Sequence, residues 1–196
     1  MSTSRASASG RPVYEIAVAG KHLGPGTTSR LVRAVRAALQ RERCRKAVVS
    51  LAVVDDATIA ELHSRYLGLA GPTDVMSFDL RDRPKGSCGR RGGEVDGEVV
   101  VSMETARRQA RRRRIPAEQE LLRYAVHGTL HLLGHRDDRP DRAAAMHRIE
   151  DEVLRESEPR RDRNAKRRKA SRPASVSRVV AGRSRGGARA GRYRFR

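Results

Sequence analysis

The sequence contains no tryptophan, few other aromatic residues and only two cysteines. Aromatic residues make up 3% of its 196 positions, so a hydrophobic core has to be built from aliphatic side chains. Cys44 and Cys88 are too few for a disulfide scaffold and neither lies in a CxxC motif, which favours a reducing environment. No apolar run approaches the roughly 20 residues of a membrane-spanning helix, and residues 1–10 lack the apolar segment of a secretory signal. We therefore expect a cytoplasmic protein with no membrane partner.

Acidic residues are comparatively scarce, and the charge is unevenly distributed. The chain has 43 Lys and Arg residues against 23 Asp and Glu, a net charge of +20. Residues 159–196 contain 15 of the basic residues and one of the acidic ones. This stretch has too few apolar groups to offset the entropy lost on ordering. The composition predicts a disordered leader (1–12), a folded domain (13–157) and a disordered basic tail (158–196).

The end of the tail combines arginine and glycine with two aromatic residues, Tyr193 and Phe195. That composition suits neutralisation of phosphates together with stacking on bases. We expect the tail to contact RNA or the ribosome. A solvated tail without a specific partner is the alternative interpretation.

The folded part shows strand and helix patterns that do not strictly alternate. Alternating or β-branched runs predict four strands, at residues 13–19, 47–54, 74–80 and 94–102. Apolar stripes and capping residues predict five helices, of which the second carries the stripe Ile59, Leu62 and Tyr66. Residues 81–93, rich in glycine and positive charge, predict a mobile loop. Four strands and five helices in this order predict a small α+β domain with a mixed sheet.

A histidine pair near the end of the fourth helix is the most informative feature. His127 and His131 are four residues apart, so a helix places both imidazoles on one face, close enough to chelate one ion. Gly134 then ends the helix, and the chain can turn back to supply a third ligand. Three protein ligands would leave a fourth position for water, whose pKa a bound Zn²⁺ lowers to about 7. The candidates for the third ligand are His135, Asp137 and Asp138.

The histidine spacing alone is a weak signal, because two ordinary surface histidines would look the same. The glycine followed at once by a histidine and two aspartates favours a metal site. The motif is not HExxH, since Gly128 occupies the position of the glutamate. A metallopeptidase that uses that glutamate as its base is therefore disfavoured.

The segment HGTLHLLGHRDD (residues 127–138) resembles the signature of the YbeY family, bacterial endoribonucleases of rRNA maturation. The family has three metal-binding histidines spaced H-x3-H-x5-H. Its first two positions fall on His127 and His131 and its third on Asp137, so the resemblance implies a ligand set of two histidines and one carboxylate. Such a set suits Zn²⁺, and also Fe²⁺ or another divalent ion. His135 and Arg136 replace the usual Tyr and Asp of the signature.

Other segments resemble the same family in the same order, over about residues 13–157. Residues 71–78 (GPTDVMSF) are similar to the family's PTDVLSF strand. Residues 97–102 (GEVVVS), followed by ETA and QA, are similar to its GDIVIS run. One position departs from the family: an arginine that faces the substrate is replaced by Leu67.

The resemblance implies a metal-dependent endoribonuclease of single-strand type. Its role would be rRNA maturation, including 16S 3′-end processing, and ribosome quality control. The expected cofactor is one Zn²⁺, and the expected partners are the rRNA precursor and the small ribosomal subunit. The metal would activate water or polarise a phosphate oxygen.

Several residues receive roles on this basis. Because Leu67 replaces the arginine, Arg65 or a cation from residues 81–91 would have to stabilise charge on the phosphate. Asp74 would orient a ligand histidine by accepting a hydrogen bond from its other ring nitrogen, although a simple strand-end carboxylate fits equally well. A strongly basic helix would hold the RNA backbone without reading its sequence. Its predicted RNA-binding residues are Arg107, Arg108, Arg111 and Arg112.

Two other functions remain open. A non-catalytic RNA-binding factor of ribosome assembly, with a structural or vestigial metal site, is favoured by Leu67. The open three-ligand site favours the enzyme instead. A metallopeptidase is the weaker alternative because of Gly128.

Overall fold

The computed structural model describes residues 11–20, 23–81 and 93–158. Within these ranges the chain forms four strands and five helices. In chain order they are β1 (Val13–Gly20), α1 (Pro25–Arg41), β2 (Lys46–Val54), α2 (Asp56–Leu67), β3 (Val75–Asp79), β4 (Glu94–Ser102), α3 (Met103–Arg113), α4 (Ala117–Leu132) and α5 (Pro140–Ser157).

The strands form one mixed sheet in the order β1-β2-β4-β3. The first three strands of that order are parallel, and β3 pairs antiparallel with β4 at the edge. Side chains alternate between the two faces of a sheet, and one face of β2 is fully apolar. Its buried residues are Ala47, Val49, Leu51 and Val53.

The helices cover the two faces of the sheet unequally. α1 and α4 pack on the apolar face of β2 and its neighbours, and α5 packs on α1 and α4. α3 follows β4 directly and packs along α4. On the opposite face, Ile59 of α2 packs with Met76 and Val100. The main core therefore lies between the sheet and α1, α4 and α5.

Local signals explain where the helices begin and end. Asp55 accepts a hydrogen bond from the backbone N–H of Thr58 at 2.8 Å and caps α2. Ser102 caps α3 in the same way through Thr105, at 3.0 Å. Each cap satisfies a backbone donor that the first turn of a helix leaves unpaired.

The architecture confirms the predicted α+β class, with a mixed four-stranded sheet and five helices in the described part of the chain. One detail differs: Tyr66, placed on the apolar stripe of α2, is 59% exposed, whereas Ile59 is fully buried. The Tyr66 ring meets Phe78 of the edge strand β3 edge to face at 5.0 Å. Tyr66 is the last residue but one of α2 and packs against an edge strand, so much of its ring stays in solvent.

Some predicted segments lie outside the described residues. They are the leader except residues 11–12, the loop interior at residues 82–92 and the basic tail from residue 159. None of the helices within the described ranges has the length and apolar character to cross a membrane.

α4 lies very close to the sheet at Gly128. A Cβ atom at this position would be 2.5 Å from Val99 Cγ1 and 2.9 Å from the hydroxyl oxygen of Ser77. The Ser77 hydroxyl also donates a hydrogen bond to the Gly128 carbonyl at 3.1 Å. A glutamate in the HExxH position would therefore collide with β4, which gives a physical reason against the metallopeptidase.

Gly128→Ala is expected to destabilise the fold by about 1–3 kcal/mol, the usual cost of overpacking a core. Gly26→Ala is the matched control, because a Cβ at that helical position meets nothing within 4 Å. The control should be neutral or stabilising by up to about 1 kcal/mol, since alanine favours helices. Urea unfolding followed by circular dichroism measures both. Wild-type stability of Gly128→Ala would contradict the close approach.

Candidate metal centre

The last turns of α4 bring two imidazoles together. His127 and His131 are one helical turn apart, and their Nε2 atoms lie 2.9 Å apart. Their side chains are 19% and 30% exposed. The pair is therefore half-buried, with one side open to solvent.

A tight turn after α4 returns the chain to this pair. Gly134 adopts a positive φ of 94°, which glycine tolerates and other residues rarely do. The His135 N–H then bonds back to the Leu130 carbonyl at 3.0 Å. As a result Asp137 places one carboxylate oxygen 3.6 Å from His127 Nε2 and the other 3.8 Å from His131 Nε2.

The other two candidates for the third ligand, His135 and Asp138, contact other residues. His135 directs its Nε2 towards the buried Glu42, 3.3 Å away. Asp138 pairs with Arg142 at 2.9 and 3.2 Å, and this hydrogen bond holds the pKa of Asp138 below its ordinary value. Of the three candidates, the structure thus brings Asp137 to the histidine pair.

The geometry fits a single divalent cation. One ligand atom from each of His127, His131 and Asp137 lies within 4.8 Å of the others. A tetrahedral ion with bonds of about 2.0–2.1 Å separates its ligand atoms by about 3.3 Å. The two Nε2 atoms are 2.9 Å apart, and each lies 3.6–3.8 Å from a different oxygen of Asp137. Three protein ligands keep the fourth position for water or substrate.

Both histidines are held through their other ring nitrogen. His127 Nδ1 lies 2.7 Å from the carboxylate of Glu150, which is 1% exposed. His131 Nδ1 lies 3.1 Å from the His135 carbonyl oxygen. In each case Nδ1–H donates, which leaves the Nε2 lone pair directed at the metal position.

The charge of Glu150 is compensated locally. Arg123 contacts its second carboxylate oxygen at 3.3 Å and also pairs with Asp151 at 2.8 Å. Burial opposes protonation of His127, but the hydrogen bond and charge of Glu150 outweigh it and hold the pKa of His127 above its ordinary value. Burial and the neighbouring His127 lower the pKa of His131.

Asp74 lies beside the histidine pair but does not hold it. Its Oδ1 accepts hydrogen bonds from the Val75 N–H at 2.9 Å and the Thr73 hydroxyl at 3.1 Å. The hydrogen bonds to the ring nitrogens, for which Asp74 was a candidate, are made by Glu150 and the His135 carbonyl instead. Asp74 shares with His127 the wall of a pocket of about 390 Å³, which we call the metal pocket because His127 lines it; His131 and Asp137 do not.

This pocket is lined by α3, α4 and α5. Arg113 stands at its edge, half-exposed, and pairs with the fully buried Glu120 at 2.9 Å. Tyr124 is 5% exposed. Burial and then the charges of Glu120 and Asp74 raise the pKa of Tyr124, so its hydroxyl stays protonated at neutral pH. The remaining lining residues are Gln109, Arg123, His147, Glu150 and Asp151.

The predicted basic residues occupy different environments. Arg65 is exposed on α2 and is not among the residues that line the pocket. Arg108 is tied to Asp56 and to the Thr105 hydroxyl. The other three predicted RNA-binding residues are exposed and form no ion pair within the described ranges; they are Arg107, Arg111 and Arg112.

Sequence reasoning missed Glu150 and did not distinguish Arg113 from the other arginines of its basic helix. Glu150 did leave a signal: it lies between Met146 and Val153 on the buried stripe of α5, where a charged residue is unusual. Arg113 left no such signal, because every position of residues 111–114 is arginine.

Comparison with known proteins agrees with this fold and identifies its family. The family model described as Endoribonuclease YbeY matches residues 23–158. The chain belongs to the YbeY family. The match ends before the basic tail. It includes His127, His131 and Asp137, which we call the metal group.

Relatives named Endoribonuclease YbeY support the membership. The protein of Syntrophus aciditrophicus is 39% identical over 124 residues, which is 62% of this chain and 76% of the relative. That of Thermobifida fusca is 35% identical over 141 residues, 71% of this chain and 91% of the relative. That of Myxococcus xanthus is 42% identical over 106 residues, 54% of this chain but only 35% of the relative.

A solution structure of a Thermotoga maritima protein shares the fold. It has a TM-score of 0.52 at 21% identity and covers 84% of this chain and 100% of its own. At this identity the likeness supports the fold alone.

Removing any member of the metal group should abolish or weaken metal binding by this YbeY chain. We expect about one Zn²⁺ per chain in the wild type and little in His127→Ala, His131→Ala or Asp137→Ala, by elemental analysis after dialysis. His147→Ala and Asp138→Ala are matched controls, since neither residue belongs to the group. Equal metal content in all variants would refute the group.

Glu150→Gln should weaken Zn²⁺ binding by about 10- to 100-fold, because loss of an outer carboxylate frees the ligand histidine. Competition with a chromophoric chelator measures the affinity. Glu156→Gln is the control on the same helix, where the carboxylate only meets Arg41 near the surface. Urea unfolding is measured alongside, since Arg123 loses a partner. Unchanged affinity would show that Glu150 does not position His127.

Proposed function

We propose that the chain is a zinc-dependent endoribonuclease that cleaves single-stranded segments of rRNA precursors. The supporting observation is the convergence of His127, His131 and Asp137, with ligand atoms within 4.8 Å, in a chain of the YbeY family. The proposed setting is 16S 3′-end maturation and ribosome quality control in the cytoplasm, with the small ribosomal subunit as partner. The basic tail is proposed as a further RNA contact.

When bound, the metal would supply Lewis acidity, which lowers the pKa of water or polarises a phosphate oxygen. The protein's own contribution begins with orientation. Glu150 and the His135 carbonyl hold the two imidazoles through Nδ1, which leaves both Nε2 atoms on the side of Asp137. Asp137 adds a negative charge that favours a divalent cation over a neutral occupant.

Charge that develops on the phosphate needs a cation from the protein. Leu67, which stands in place of the family arginine, is 60% exposed and offers none. Arg113 is the better placed of the available arginines, because it lines the pocket that contains His127. Arg123 lines it too but already neutralises two carboxylates. We propose that Arg113 neutralises the phosphate and that Tyr124 donates a hydrogen bond into the pocket.

The α3 surface supports binding of the RNA backbone. Arg107, Arg111 and Arg112 form no ion pair in the part of the chain that the structure describes and would contact phosphates without reading sequence. Gln109 and Arg113 connect the same helix to the metal pocket. Arg108 contributes less than predicted because Asp56 holds it. Arg65 stays a candidate only for a phosphate outside the pocket.

A non-catalytic RNA-binding assembly factor is the second candidate. The exposed Leu67 favours it, since a nuclease has no use for an apolar side chain where the family has a cation. Arg113 provides a replacement in the described residues, and we therefore prefer the enzyme.

The decisive experiment incubates Zn²⁺-loaded full-length chain with an rRNA precursor that includes the 16S 3′ end. Arg113→Ala should lower kcat/KM by about 10²-fold, the usual cost of removing one group that stabilises transition-state charge. Arg65→Ala should stay within about twofold, as expected of a charge outside the pocket. His131→Ala sets the background.

Because Arg113→Ala leaves Glu120 buried without its partner, stability is checked by thermal unfolding. Arg113→Lys, which keeps the charge, should recover part of the rate. If wild type cleaves the RNA no faster than His131→Ala does, the nuclease proposal is refuted and the non-catalytic assembly factor is the remaining candidate.

A further inference from the structure

A second depression, which we call the cleft, lies on the other side of α3 from the metal pocket. It has a volume of about 540 Å³ and opens at the carboxyl ends of β1 and β2. Its floor consists of small or apolar side chains, and polar groups stand at its edge. The floor includes the partly buried Ala52, Val54 and Met103, and the edge includes the exposed Ala19, Thr58, Glu104 and Arg107.

α3 forms a ridge between the two depressions. Arg107 lines the cleft, whereas Gln109 and Arg113 line the metal pocket. Arg107 and Arg113 are six positions apart, about 9 Å along a helix axis at 1.5 Å per residue. The exposed crest between them carries Arg111 and Arg112, which have no ion-pair partner among residues 11–20, 23–81 and 93–158. A single strand that crosses this crest would meet cations at every step.

The cleft has the chemistry of a nucleobase site rather than a phosphate site. An apolar floor can cover the face of an unstacked base, and polar groups at the edge can meet its hydrogen-bonding edge. The carboxylate at this edge, Glu104, uses Oε2 to accept the Asp56 N–H at 3.0 Å. A carboxylate oxygen accepts from the N4 amino group of cytosine but repels the O4 of uracil. Arg107 then lies beside the adjoining phosphate.

We propose that this cleft binds an unpaired, amino-bearing base of the RNA strand, with cytosine favoured over uracil, while the strand crosses α3 to the metal pocket. The proposal rests on the proposed function only in taking RNA as the ligand. It adds a base preference, at a distance from the cleaved bond, to contacts that otherwise read no sequence.

The test measures binding of the full-length chain to fluorescent RNA hexamers in EDTA, so that cleavage does not interfere. The hexamers are oligouridine with a single cytidine moved through the six positions. Wild type should prefer cytidine at one position by roughly three- to tenfold, the range of a base-edge hydrogen bond. No positional preference would overturn the proposal.

Two tryptophan variants localise the preference. Ala19→Trp fills the cleft and should weaken binding of the preferred hexamer about tenfold, the effect of losing one stacked base. Ala17→Trp is the matched control: it is exposed on the same face of β1 but does not line the cleft, and its binding should stay within about twofold of wild type. If Ala19→Trp keeps the cytidine preference, the cleft does not bind the base and the proposal is refuted.

Glu104→Gln tests the hydrogen bond without depending on loss of function. The amide can still accept the Asp56 N–H, and its NH₂ group donates to the O4 of uracil, so the preference should shift from cytidine to uridine. Arg107→Gln should reduce the slope of log affinity against log salt by about 0.7, the value for one single-strand phosphate contact. An unchanged base preference in Glu104→Gln would contradict the assigned contact.

The cleavage assay and the hexamer binding assay test the nuclease proposal and the cleft proposal separately. If wild type does not cleave rRNA but the preference depends on Ala19 and Glu104, the cleft stands and the catalytic assignment fails. If wild type cleaves rRNA and no base preference exists, the cleft proposal fails alone.

Discussion

The metal group depends on how closely α4 lies against the sheet. At Gly128 the helix backbone touches β3 and β4, and a side chain there would overlap Val99. This contact fixes the depth and rotation of the helix. His127, one position away, is thereby held at the β3 side of the sheet, where it shares a pocket wall with Asp74. The same rotation turns its Nδ1 towards α5, which provides Glu150.

Glu150 illustrates how a buried charge is used for position rather than for stability. Removing a lone carboxylate from water costs several kcal/mol, and an apolar residue between Met146 and Val153 would pack there without that cost. The charge is tolerated because one oxygen accepts from His127 and the other meets Arg123. What the arrangement gains is a single orientation of the imidazole, which a metal ligand requires.

Local patterns were enough to predict the helix of the metal centre, but contacts between distant elements were not. The spacing of His127 and His131 needs only the helical period. The choice of Asp137 over its neighbours depends on Glu42 and Arg142, which hold His135 and Asp138. Spacing cannot reveal a partner such as Glu42, because it directly follows α1 and lies far from His135 in the sequence. The prediction that Tyr66 lies on the buried stripe of α2 was wrong for a related reason. The helical period gives the direction of a side chain but not how much of the sheet lies beneath it.

In the proposed reaction, a carboxylate ligand would change the electrostatics of the loaded site relative to three neutral imidazoles. It would lower the net positive charge there by one, which strengthens cation binding and weakens the Lewis acidity that the cation exerts. Positive charge near the phosphate would then have to come from the protein, and Leu67 offers none. Arg113, which we propose for this role, pairs with Glu120, so an incoming phosphate would have to compete with a buried carboxylate for the same guanidinium. That competition would favour a substrate whose neighbouring phosphates are already held along α3, since their binding raises the effective concentration of the reacting one.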